Sequence, residues 1–97
     1  MSEKRDAFVQ KMQAGLDELN AKIDVLEAKS EKASAEARVE YLKRVADAKA
    51  KRNEMSDKLA EVKRSSGDAW EELRGGLQTS WDALSSSVKS AWEKLGE

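Results

Sequence analysis

Residues 29–35 read Lys29-Ser30-Glu31-Lys32-Ala33-Ser34-Ala35. Whether a helix runs through this stretch or turns inside it decides the fold. Neither Gly nor Pro occurs in it, nor anywhere between residues 16 and 66, so nothing local forces a break. Its apolar content falls to Ala, so nothing clamps it to a partner either. Ser30 or Ser34 can act as the N-cap of a new helix.

On both sides of this stretch the chain is patterned in heptads. Upstream, one set of positions holds Val9, Leu16, Ile23, Ser30 and Ala37, and its partner set holds Met12, Leu19, Leu26, Ala33 and Glu40. Alternating steps of three and four keep a narrow stripe facing a partner helix. Downstream the stripe resumes with Tyr41, Ala48, Met55, Val62 and Ala69 in one set and Val45, Arg52, Leu59 and Ser66 in the other. The step from Ala37 to Tyr41 inserts four residues, a stutter that unwinds a supercoil without ending the helix. The pairs Glu18–Lys22, Glu40–Arg44, Asp47–Lys51 and Glu54–Lys58 add weak i,i+4 support. The sequence therefore predicts one helix over residues 5–64, about 90 Å long at 1.5 Å per residue. The alternative is a turn near residues 29–35, giving three helices of similar length and a three-helix bundle. The narrow stripes favour the long helix, because bundle helices add apolar e or g positions. Glu40 and Arg52 occupy nominal seam positions, where they either fix register or are left at the seam's edge by the stutter.

The second boundary is residues 65–68, Ser65-Ser66-Gly67-Asp68. Lys63 and Arg64 suit a helix C-terminus, and Gly67 can adopt the left-handed C′ conformation. Asp68 and Glu71 resemble a capping box. The expected architecture is all-α. A long coiled-coil helix (1–64), a turn (65–68) and a shorter antiparallel amphipathic helix (69–97) form an uneven helical hairpin.

The last segment changes period. Trp70, Leu73 and Leu77 are followed by Trp81, Leu84 and Val88, then by Trp92 and Leu95. The unit is eleven residues, three turns, and drifts only about 20° per repeat. All eight residues fall within a sector of about 100°. The opposite face carries Gly75, Gly76, Thr79, Ser85, Ser86 and Ser90, with Ser80 and Ser87 flanking the stripe. Gly costs about 1 kcal/mol and Ser up to about 0.7 kcal/mol relative to Ala. The two Gly and five Ser therefore weaken the helix by roughly 4 kcal/mol. Burying one large apolar side chain gains about 1.5–3 kcal/mol, so this segment should be helical when its Trp face is covered. Gly75–Gly76 is a candidate kink, with Thr79 or Ser80 restarting the helix.

The eleven-residue amphipathic period of residues 69–95 resembles the repeats of exchangeable apolipoproteins and synucleins. The bulky apolar face opposite Ser, Thr and Gly is similar to amphipathic lipid-packing sensor helices. These resemblances imply reversible binding to a bilayer surface, with the same eight residues inserting. The segment departs from both: Pro punctuation and a Lys-rich consensus are missing, and residues 68–97 carry three basic and six acidic side chains, the wrong sign for anionic lipid. The whole chain resembles small uncharacterised bacterial coiled-coil proteins that end in a Trp-containing amphipathic helix.

Composition bounds the chemistry. The 97 residues include no Cys, His or Pro, and 38% are charged. Ala, Glu, Lys, Leu and Arg exceed half of the chain, a bias of long helices and coiled coils. Thiol and imidazole catalysis and Cys/His zinc sites are excluded. The N-terminal MSEKRDAF lacks the apolar core of a secretory signal, and no run approaches the ~18 apolar residues of a spanning helix. A cytoplasmic protein is expected, peripheral to a membrane under the lipid reading. Residues 43–52 (KRVADAKAKR) are rich in cations, but without interleaved aromatics they read as a solvated face, and no nucleic-acid partner is expected. Glu71 and Glu72 point about 100° apart on a helix and do not form a catalytic pair. No enzyme activity and no cofactor are expected. The expected function is interaction: self-association through Val9, Met12, Leu16, Leu19, Ile23, Leu26, Tyr41, Val45, Met55, Leu59 and Val62, with the Trp helix packing in the assembly. The alternatives are lipid binding through the Trp helix and an adaptor that holds a partner's helix.

Overall fold

The computed structural model describes residues 3–95; residues 1–2 and 96–97, the outer ends of the expected segments, lie outside the described residues. Three helices follow in order: α1 Glu3–Glu31, α2 Ala35–Arg64 and α3 Ala69–Leu95. They run up, down and up in a slender bundle of 51 × 17 × 16 Å. Gln13 meets Lys63 and Asn20 meets Arg52 across the antiparallel α1–α2 pair. Ser87 meets Asp47 across the antiparallel α2–α3 pair.

The single long helix and uneven hairpin are therefore not what the chain adopts; it turns at residues 32–34. The physical reason lies in α3. Its stripe is about 100° wide, wider than one narrow seam can cover. When α1 folds back on α2, the two seams form a groove that takes this stripe. Ile23 and Leu26 of α1, Met55 and Leu59 of α2, and Leu77 and Leu84 of α3 are all fully or almost fully buried together. A straight helix in a lone chain would leave the α1 seam in water, at about 1.5–3 kcal/mol per large side chain.

Local chemistry then fixes the turn. Ser34 is the N-cap of α2, its Oγ accepting from Ala37 N–H at 3.4 Å. Ser30 plays a different part: it is fully buried, and its Oγ donates to Leu26 O one turn back at 2.7 Å. At the other end, Ser65 caps α2 through its N–H and Oγ, both donating to Val62 O. Gly67 takes φ +60°, the left-handed setting expected of it, though one residue beyond C′ because Ser65 is the C-cap. The Asp68–Glu71 capping box is replaced by a main-chain bond, Glu71 N–H donating to Asp68 O at 3.0 Å. Buried Arg5 adds a cap from a distance, its Nη1 donating to Ser65 O at the C-terminus of α2, where the helix dipole favours a cation.

The seam residues largely occupy the core. Met12, Leu16, Leu19, Ile23, Leu26, Val45, Met55, Leu59 and Val62 are buried, and Val9 packs on them half-buried. Tyr41 is half-exposed and outside that cluster. Arg52 and Glu40 lie at the edge of the seam rather than within it. Arg52 donates to Asn20 Oδ1 at 2.8 Å, and exposed Glu40 pairs with Arg44 at 3.4 Å.

Candidate interaction face: the tryptophan row between α1 and α3

The three tryptophans lie along one groove, each against α1. Trp70 is 3% exposed, and its ring centroid stands 5.8 Å from that of Phe8 at 40°. The Arg74 guanidinium lies 5.5 Å over the other partner, Phe8, a cation–π distance. Half-buried Trp81 lies on the α1 backbone at Gly15: a Cβ there would fall 2.5 Å from Cη2 and Cζ3 of the indole. Trp92 is 38% exposed and carries the Lys29 Nζ at 5.0 Å and the Lys22 Nζ at 6.0 Å from its ring centroid.

The α1 partners Phe8, Gly15, Lys22 and Lys29 form a single row at seven-residue steps. The tryptophan row spans much the same length as this row. Two eleven-residue steps rise about 33 Å along α3, and three heptads rise about 31.5 Å along α1. The individual steps differ, about 16.5 Å from Trp70 to Trp81 against about 10.5 Å from Phe8 to Gly15. The rows therefore match in overall span rather than step by step, and Trp92 reaches both Lys22 and Lys29. Large indoles also suit this gap, because α1 and α3 approach each other less closely than either approaches α2.

The rest of the stripe faces inward. Leu77, Leu84 and Val88 are buried, and Leu73 and Leu95 pack half-buried on the core. Phe8, Gly15, Ser80 and Ala91 also belong to this packing, and the sequence reading passed over them as packing residues. Phe8 and Gly15 sit one position outside the heptad seam, where only a third helix makes use of them. Ser80 is 5% exposed, and its Oγ finds no hydrogen-bond partner among the described residues.

The outer face of α3 is open. Gly75, Gly76, Thr79, Ser86 and Ser90 are exposed, and a Cβ on either glycine would meet nothing within 4 Å. The helix runs uninterrupted through Gly75–Gly76, so neither Thr79 nor Ser80 restarts it. Thr79 Oγ1 donates back to Gly75 O at 3.0 Å. At the α2–α3 edge, the Lys51 ammonium and then the Ser87 hydroxyl hold the Asp47 carboxyl below its ordinary range.

Three of the cations of residues 43–52 are ion-paired, two along α2 and one across to α1. Arg44 pairs with Glu40, Lys49 with Glu27 and Lys51 with Asp47. Glu71 and Glu72 are both exposed. Among the described residues no helix is long and apolar enough to cross a membrane. No protein-family model matches the chain, and neither the curated proteins nor the solved structures offer a detectable relative.

Proposed function

We propose that this protein is a non-enzymatic structural and interaction protein that self-associates through its heptad seams, with α3 packed as a permanent member of the assembly. One observation carries the packed placement of α3 in this reading: Trp70, Leu77, Leu84 and Val88 are covered by the chain's own α1 and α2. A stripe already covered has no need of lipid to stay out of water. The absence of His and Cys from the sequence and the solvent-facing placement of Glu71 and Glu72 support a role without catalysis. Because the seams are closed within one chain, self-association must reuse them rather than add to them.

A second reading, peripheral lipid binding through α3, draws support from Trp92. Its exposed ring borders a shallow groove of about 290 Å³ lined by Leu19, Lys22, Val88 and Lys89. An indole flanked by lysines suits a membrane interface, where the ring is buried and its N–H stays wet.

Tryptophan emission with and without small vesicles separates the two. Emission dominated by blue-shifted, quencher-protected indoles, with Trp92 as the accessible fraction, that vesicles leave unchanged is the expected result. A shift from red to blue on adding vesicles would replace the packed reading with the lipid one.

A further inference from the structure

The two interhelical connections differ in kind. Gly67, between α2 and α3, sits at φ +60°, a setting that a continuous helix does not contain. Between α1 and α2 there is no glycine, and no non-glycine described residue has positive φ. Ser34 has φ −58°, already helical, and only its ψ of 157° departs from the helix. Lys32 N–H donating to Lys29 O and Ala33 N–H to Ser30 O, both at 3.2 Å, carry the coil of α1 nearly to that residue.

The buried residues of α1 and α2 are also in phase. Leu19 and Met55, Ile23 and Leu59, and Leu26 and Val62 are each 36 residues apart and all buried. That separation is ten turns at 3.6 residues per turn. On a straight helix spanning both segments, these six side chains would project from one face.

We infer that a second copy of this chain is the partner, and that the two copies exchange α1. The turn at residues 32–34 straightens, α1 and α2 join into one helix, and each α1 fills the corresponding place against α2 and α3 of the other copy. The inference rests on the self-association proposed above and gives it a route. Exchange preserves every buried contact of the bundle, which makes it a low-cost path to a dimer. It removes the Ser34 cap, and in return the open carbonyls of α1 and open amides of α2 bond to each other. Because the two buried faces are in phase, the two three-helix units lie in line, and each joined helix is about 90 Å long.

The test uses the full chain, which contains no Cys. Asp17→Cys and Asp57→Cys place spin labels at exposed sites on α1 and α2. The Gln13–Lys63 and Asn20–Arg52 contacts bracket the two sites, so they are neighbours in the bundle. In the joined helix they are about 60 Å apart. Doubly labelled chain is diluted into unlabelled chain, concentrated, warmed and cooled, and the dimer is isolated for pulsed dipolar distance measurement. The expected result is the long distance in the dimer and the short one in the monomer.

Two variants bracket the mechanism. Ala35→Pro sits at the first position of α2 behind a Ser34 whose ψ suits a pre-proline residue. The bundle should tolerate it, whereas a proline inside the joined helix breaks it, so the dimer should vanish. Ser34→Ala removes the cap from both chains and should raise the dimerisation constant about 30-fold. A dimer with only the short distance, or Ala35→Pro dimerising as well as the parent, overturns exchange while self-association stands. A Ser34→Ala chain that stays monomeric at millimolar concentration overturns both.

Discussion

Replacing Gly15 with Ala should destabilise this bundle, against the usual behaviour of a helix-interior glycine. In a solvated helix the change gains about 0.8–1 kcal/mol. Here the new Cβ would lie 2.5 Å from two ring carbons of Trp81, where ordinary carbon contacts are about 3.5–4.0 Å. The indole must retreat by roughly 1 Å, and overpacking of this kind costs about 1–3 kcal/mol. Gly15→Ala should therefore lower stability by about 1 kcal/mol net. The decisive measurement is a double-mutant cycle in urea, followed by circular dichroism. With Trp81→Ala in place the clash is gone, and Gly15→Ala should stabilise by up to about 1 kcal/mol. The sign reversal, a coupling of about 2 kcal/mol, is the signature of the indole lying on the α1 backbone. Equal stabilisation in both backgrounds would refute the Trp81–Gly15 contact and, with it, the seating of the tryptophan row on α1.

Gly75→Ala and Gly76→Ala meet no neighbour, so each should raise the urea midpoint, by about 0.5–1 kcal/mol in stability; no gain from either would mean that α3 is not helical there. Ser80→Ala removes a buried hydroxyl that has no partner among the described residues and should stabilise by about 1 kcal/mol, a change visible as a higher melting temperature. Trp70→Ala should cost about 3–5 kcal/mol, and Trp92→Ala, at 38% exposure, less than half of that; equal losses in thermal unfolding would contradict the graded burial of the row. Asp47 has its carboxyl pKa lowered from 3.8 by Lys51 first and Ser87 second, so its contribution to stability is present above pH 3.8 and is lost as acid titrates through the lower folded value. Ser87→Ala should move that carboxyl back upward in an NMR titration, and an unchanged value would dissolve the α2–α3 link at that edge.

Much of this protein was legible from local pattern alone. Helicity follows from the heptads, and the second turn from Gly67, whose φ of +60° is the left-handed setting expected there. The period of residues 69–95 picked out the α3 stripe, most of which packs inward, because each of these features depends on a few neighbouring residues. The first turn was not legible in this way. A straight and a bent path through residues 29–35 use the same seam residues and violate no local rule. Only the wide stripe of α3 decides between them in a single chain, by requiring a groove between two helices rather than the edge of one. The same closure made Phe8 and Gly15 into packing residues, and it buried Trp70 while leaving Trp92 at the rim. Periodicity assigns a residue to a face of its own helix. What that face meets depends on contacts many residues away, and only the folded chain supplies them.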